Sequence, residues 1–388
     1  MTISKEGEMK YSEVLIPAVI GLALVAWQGK QPIKVGNFGA MSGDQAIWGQ
    51  AEANGLKLVA DQINKAGGIL GRPVEIITYD DKGDQLEAVN AVKRLINEDH
   101  VCAIIGTNSS GRNMAVAPIA EAAHVPVIST YATNPKVTVP EPGKLTRFTF
   151  RVCFIDPYQG AVLANFAYKD LKAKKAAILY EISSDYSVGL RDYFKQSFDK
   201  LGGTVVADEA FKSGDVDFRA QLTKIKAAQP DVIIMPFLYK EVALASKQAK
   251  DLGIHATKLG ADGWPSSGLL EMAASAVEGS YYVDHCDVSQ PNVQEYRGQY
   301  KAMFGKDMEV NSIMAHDALL TLKAAIEKAK TDNSDAIRDA LEQTKGIKGF
   351  TGTISIDPAT HNPVGKAASI ITIKDGKFVY VKQFASTL

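Results

Sequence analysis

The sequence predicts an α/β protein of two lobes, each a parallel, doubly wound sheet flanked by helices, with the lobes joined by hinge strands. Short apolar runs of strand length alternate with longer amphipathic stretches, which is the pattern of successive βαβ units. The alternation lapses near Arg151 and restarts, so two α/β lobes of similar size follow one another. The chain then ends in helices followed by strands, which implies a return to each lobe in turn.

The first strand is read at 33–37, ending in the loop Gly39-Ala40-Met41-Ser42-Gly43-Asp44. An amphipathic helix over 45–66 is stopped by Gly67-Gly68. A strand at 72–79 closes in Asp80-Asp81-Lys82-Gly83-Asp84, a solvated turn whose Asp84 caps a helix over 85–97. The apolar run 101–105 suits a buried parallel strand and leads into Thr107-Asn108-Ser109-Ser110-Gly111. A helix then starts near Gly111, with Met114, Val116, Ile119, Ala122 and Ala123 as its expected inner face. Strand 125–128 follows, and Ser129-Thr130-Tyr131-Ala132-Thr133-Asn134-Pro135 forms the next loop. In the second lobe, strands are expected at 175–180, 204–207, 231–235, 258–260 and 280–283, each preceded by a helix. Helices at 293–304, 312–329 and 335–344 and strands at 352–355, 367–372 and 377–382 complete the chain, the last pair turning at Asp375-Gly376. The expected division is 31–151 with 284–362 as lobe 1 and 152–283 with 363–388 as lobe 2. Several hinge strands between lobes suit closure on a ligand.

Residues 1–30 stand apart as a signal peptide or N-terminal anchor. The apolar run 14–27 is short for a membrane span and about right for a secretory h-region, so an exported, extracytoplasmic protein is expected. A net charge of −1 over 388 residues offers no basic face for nucleic acid. Cys102, Cys153 and Cys286 lie far apart without a CxxC pair; the first two read as core thiols, and one disulfide stays open. The histidines show no HxxxH or HExxH spacing, so neither a metal nor another cofactor is expected. GxSxG is absent and no Ser/His/Asp set assembles, which argues against an enzyme.

Two consecutive strands end in loops rich in hydroxyl side chains, at the edge of an open sheet where ligands bind. Ser109 and Ser110 at a helix start, with Thr133 in the next loop, suit a carboxylate. Asp262, in Gly260-Ala261-Asp262-Gly263-Trp264 after a strand end, could meet an ammonium group or simply shape a turn. Tyr186 and Tyr239 stand in equivalent strand-to-helix loops, as ligand contacts or as surface packing.

Taken together, the chain closely resembles the substrate-binding proteins of ABC importers for branched-chain amino acids, the periplasmic leucine/isoleucine/valine-binding group. The resemblance runs from about Ile33 to the C-terminus. It rests on Ile33-Lys34-Val35-Gly36 with Ser42-Gly43, on Asn64-Lys65-Ala66-Gly67-Gly68-Ile69, on Tyr79-Asp80-Asp81, and on Gly106 with Ser109-Ser110. Ala132-Thr133-Asn134-Pro135, Asp156 with Gln159-Gly160, and Gly260-Ala261-Asp262-Gly263 extend it in order. The resemblance implies the type I periplasmic-binding-protein fold, a free amino acid as ligand, a membrane ABC permease as partner, and a monomer. It implies that Ser109 or Ser110, Tyr131 (mainly through its backbone) and Thr133 hold the α-carboxylate, while Asp262 holds the α-ammonium. Tyr186 matches a ligand-contacting tyrosine and Trp48 an aromatic lining the side-chain pocket; Leu238 or Tyr239, with Trp264, would complete that pocket. The family's disulfide positions are here Gly83 and Asn108. A sensing module for a signalling or regulatory partner is the alternative on the same fold.

Overall fold

The computed structural model describes residues 30–385. The expected leader lies outside these residues except for Lys30. In chain order, β1 (Ile33–Gly39), α1 (Ala46–Lys65), β2 (Val74–Asp80), α2 (Gln85–Asn97), β3 (Ala103–Ile105), α3 (Ser110–Ala123), β4 (Val127–Ser129) and β5 (Thr149–Arg151) build the first lobe. Their all-parallel sheet has the order β2-β1-β3-β4-β5. The second lobe continues with α4 (Asp156–Asn165), β6 (Lys175–Glu181), α5 (Asp185–Lys200), β7 (Thr204–Phe211), α6 (Arg219–Ala228) and β8 (Val232–Met235). After these come α7 (Tyr239–Asp251), β9 (Thr257–Gly260), α8 (Ser267–Val277) and β10 (Tyr281–Asp284). Strands β7-β6-β8-β9-β10 repeat the order of the first sheet, so the two lobes share one winding.

The remainder supplies α9 (Gln294–Phe304), α10 (Val310–Ala329), α11 (Ser334–Glu342), a small hairpin of β11 (Ile347–Gly349) and β12 (Gly352–Ile354), then β13 (Ala368–Lys374) and β14 (Lys377–Phe384). The last two strands extend the second sheet antiparallel beside β10. They turn at Asp375 and Gly376, both at positive φ (52° and 65°), the conformation that an Asp-Gly hairpin turn requires.

Packing explains the return of the chain. Ile33, Val35 and Ile105 of the first sheet share one core with Val310, Ile313 and Leu322 of α10 and Ile337 of α11. Gly55 permits α10 to approach α1: a Cβ there would sit 2.7 Å from Ser312 Cα. Ile371 and Ile373 of β13 instead join the second core with Leu179, Ile233 and Met235. The chain therefore passes between lobes after β5, after β10 and before β13.

Two expectations need correction. The inner face of α3 is Arg112, Asn113, Val116, Ala117 and Ala120, whereas Ala122 and Ala123 are exposed. The buried ion pair of Arg112 with Asp81 turns the helix that way. The Asp80–Asp84 segment is accordingly not a fully solvated turn, since Asp81 is buried, although Asp84 does cap α2 by accepting from Leu86 N and Glu87 N (2.8 and 3.0 Å). All three cysteines are free and buried.

Candidate functional site

In an open α/β sheet the crevice opens where strand order reverses, at the carboxyl ends of the strands. Here those points are β1/β3 in the first lobe and β6/β8 in the second. A cavity of about 240 Å³ lies between them. The first lobe contributes Gln45 and Trp48 after β1, Asn108 to Arg112 after β3, and Tyr131 after β4. The second contributes Ser184 and Tyr186 after β6, Leu238 after β8, and Asp262 and Gly263 after β9.

The first-lobe wall is a stitched pair of loops. Ser109 caps α3, its hydroxyl oxygen accepting from Arg112 N (3.4 Å). Ser110 Oγ accepts from Asn134 N (3.2 Å), which ties the two loops together. Each hydroxyl thus uses its oxygen as acceptor and keeps its O–H to donate, as a carboxylate would need. Behind them Arg151 is fully buried, with its guanidinium donating to Ala132 O (2.7 Å), Asn134 O (2.9 Å) and Thr138 Oγ1 (3.0 Å).

Across the cavity stands the Asp262 carboxylate, 4% exposed. Tyr186 OH donates to its Oδ1 (2.8 Å) and in turn accepts from Gly263 N (3.1 Å). His285 Nε2 meets Oδ2 at 3.1 Å. The His285 ring is wedged between Tyr131 and Phe154, with centroids 4.5 and 3.7 Å away. Burial lowers the His285 pKa, which favours a neutral ring donating one N–H to Asp262. Tyr131 OH and His285 N both donate to Asp284 at the start of the second interlobe crossing, so the acid in the cavity is tied to the hinge.

The lobes also touch at the rim. Trp48 Nε1 donates to Pro265 O (2.8 Å), Tyr239 OH to Asp44 O (2.8 Å) and Asn134 Nδ2 to Asp185 O (2.8 Å). Lys240 pairs with the Asp44 carboxylate. These bonds describe a closed arrangement.

Of the residues singled out from sequence, Trp48, Ser109, Ser110, Tyr131, Tyr186 and Asp262 come together around the cavity. Three do not line it. Trp264 is fully buried in the second core: its Nε1 donates to Met235 O (2.9 Å), and its ring lies where a Cβ on Gly260 would be 2.0 Å away. An indole held so tightly in the core cannot reach the cavity. Thr133 is fully buried behind the hydroxyl loop, its carbonyl accepting from Asp156 N (2.9 Å). Tyr239 sits at the rim, its ring edge-on to Trp48 with centroids 5.0 Å apart. Sequence reasoning did not single out Arg112, Asn108, Asn311 or His285, the first three of which line the cavity. Asn108 belonged to a loop already flagged and Arg112 to the helix that follows it, but Asn311 and His285 arrive from distant segments and carry no spacing signal.

Buried carboxyls brace this region. Glu52 accepts from Asn37 Nδ2 (3.0 Å) and Thr130 Oγ1, linking α1 to β1 and to the loop after β4. Its pKa is pushed up to about 7, and that of Asp156 to about 8, in both cases chiefly by burial. A carboxyl whose pKa is raised on folding adds stability that is full below its unfolded value and is lost as pH rises through the folded value. We therefore expect the urea midpoint to fall between pH 5.5 and 9, by about a few kcal/mol in stability. Glu52→Gln, which keeps the shape without the charge, should flatten that slope. A wild-type midpoint that rose across the window would contradict this.

Among the described residues no group of three His, Cys, Asp or Glu side chains stands ready to hold a metal, and no helix is long and apolar enough to cross a membrane.

The periplasmic binding protein family matches residues 32–377, nearly the whole described chain. The chain belongs to that family. Its relatives place the binding protein in the leucine/isoleucine/valine group. It is 29% identical over 375 residues to the Leu/Ile/Val-binding protein homolog 3 of Brucella melitensis, covering 95% of this chain and 98% of the relative. Among solved structures, it is 34% identical to the leucine binding protein LivK of Thermotoga maritima, with a TM-score of 0.84 and coverage of 91% and 98%. It is 32% identical to LivJ of Streptococcus pneumoniae, a branched-chain amino acid transporter substrate binding protein solved with isoleucine, with a TM-score of 0.83 and coverage of 91% and 100%. By name these relatives are binding proteins, LivJ the substrate binding protein of a branched-chain amino acid transporter, and family membership implies an extracytoplasmic location for the binding protein.

Proposed function

We propose that this chain is an extracytoplasmic solute receptor that binds a free amino acid between its lobes and delivers it to a membrane ABC permease. In this reading the lobes are 31–151 with 284–362 and 152–283 with 363–388, and the receptor acts as a monomer carrying an export signal or anchor in residues 1–30. The observation that carries the reading is a buried acid facing free hydroxyl donors across a closed interlobe cavity. Asp262 takes the α-ammonium, while Ser109 and Ser110 take the α-carboxylate, backed by the loop that holds Tyr131 and Thr133. Tyr186 orients Asp262, and Trp48 covers the ligand's side chain with Tyr239 behind it. Affinity then comes from meeting both charges of one small zwitterion at once, away from water.

A thermal-shift series with the common amino acids tests this, because a ligand that binds only the folded state stabilises it by about 2.7 kcal/mol at a hundredfold excess over Kd. At least one free amino acid should raise Tm in a concentration-dependent way. No shift with any of them would remove the reading.

A further inference from the structure

We infer that the receptor selects an amino acid whose side chain ends in a carboxamide, through Asn311, Gln45 and Asn108. The inference rests on the amino-acid reading above and names the ligand class for the same cavity. Asn311 lies in the first turn of α10, is 2% exposed and lines the cavity, yet its Oδ1 has no hydrogen-bond partner among the described residues. An amide oxygen buried without a donor is costly unless a ligand supplies one.

The opposing groups have a fixed sense. Arg112 is clamped by Asp81, and its Nη2 donates to Gln45 Oε1 (2.7 Å) and Asn108 Oδ1 (2.9 Å). With each oxygen held toward Arg112, the donors that these two amides offer a ligand are their NH2 groups, and both residues line the cavity. The cavity therefore offers amide donors from two residues and an unfilled acceptor from a third. A carboxamide answers both, its oxygen accepting from Gln45 or Asn108 and its NH2 donating to Asn311. An ammonium tip donating to Asn311 would leave the NH2 groups of Gln45 and Asn108 without an acceptor, and a carboxylate would leave the Asn311 oxygen without a donor. An aliphatic side chain would leave the Asn311 oxygen unpaired, and sites built to hydrogen-bond a ligand reject analogues lacking the group far more strongly than they reject a change of size.

The test is calorimetric titration of the full chain with glutamine, methionine, leucine and lysine. Methionine matches glutamine in length without its amide. Glutamine should bind at least tenfold more tightly than the other three, and Asn311→Leu should weaken glutamine at least tenfold and erase the preference. If leucine does not fold at 311, Asn311→Ala is read by the same ratio. Leucine, methionine or lysine binding as tightly as glutamine would overturn the inference while leaving the amino-acid receptor intact, as would an unchanged preference in the variant. Absence of binding by any amino acid would instead bring down the receptor reading, and this inference with it.

Discussion

Asp262→Ala should lose ligand affinity by at least a hundredfold, about 3 kcal/mol, in isothermal titration with whichever amino acid the receptor prefers. The size follows from burial: Asp262 is 4% exposed, so its loss leaves the desolvated ammonium group without the counter-charge beside it. Asp262→Asn separates charge from shape. Asparagine keeps the shape: its oxygen can still accept from Tyr186, while its NH2 faces His285 Nε2, which accepts it in the other neutral tautomer. If the acid only scaffolds the loop, Asn should restore affinity; if it neutralises the ligand, Asn should be nearly as defective as Ala. Both variants should keep the wild-type fold by circular dichroism. Wild-type affinity in Asp262→Ala would show that the ammonium is held elsewhere.

Arg151→Ala is expected to be the most destabilising single truncation around the site. It removes three buried hydrogen bonds from a charged donor, those to Ala132 O, Asn134 O and Thr138 Oγ1. Hydrogen bonds from a charged group contribute about 1.5–3 kcal/mol each, so a total of about 3 kcal/mol or more is expected as a fall in the urea midpoint. Arg151→Lys should rescue little of it, because an ammonium cannot reproduce the guanidinium's planar fork. The same loop carries Ser110's partner Asn134, so ligand affinity should fall with stability. A midpoint unchanged from wild type would mean that these bonds contribute nothing net.

The fold was legible because its strands are buried parallel runs, whose apolar composition and regular spacing survive in a single sequence. Even the antiparallel hairpin at the end announced itself through Asp375-Gly376. The first-lobe loop was legible for a similar reason, since Ser109 must cap a helix wherever it serves a ligand. Orientation was harder to read. Trp264, two residues after Asp262, looked like a pocket aromatic, yet the chain turns there, Trp264 N donating to Ala261 O (3.0 Å), and the bare Cα of Gly260 makes room for the indole in the core. The inner face of α3 was misread because a helical pattern counts Arg112 as solvated, and only the three-dimensional pairing with Asp81 pays its desolvation. Asn311 and His285 were invisible because their relevance comes from chain crossings that sequence proximity does not encode.

In the proposed receptor, two opposite charges on one small molecule are gripped from facing lobes. The most direct measurement of that grip is calorimetry of wild type with the preferred amino acid, its deaminated acid and its decarboxylated amine. The amino acid should bind, and each single-charge analogue should be weaker by at least a hundredfold. An analogue that binds as tightly as the parent would contradict it.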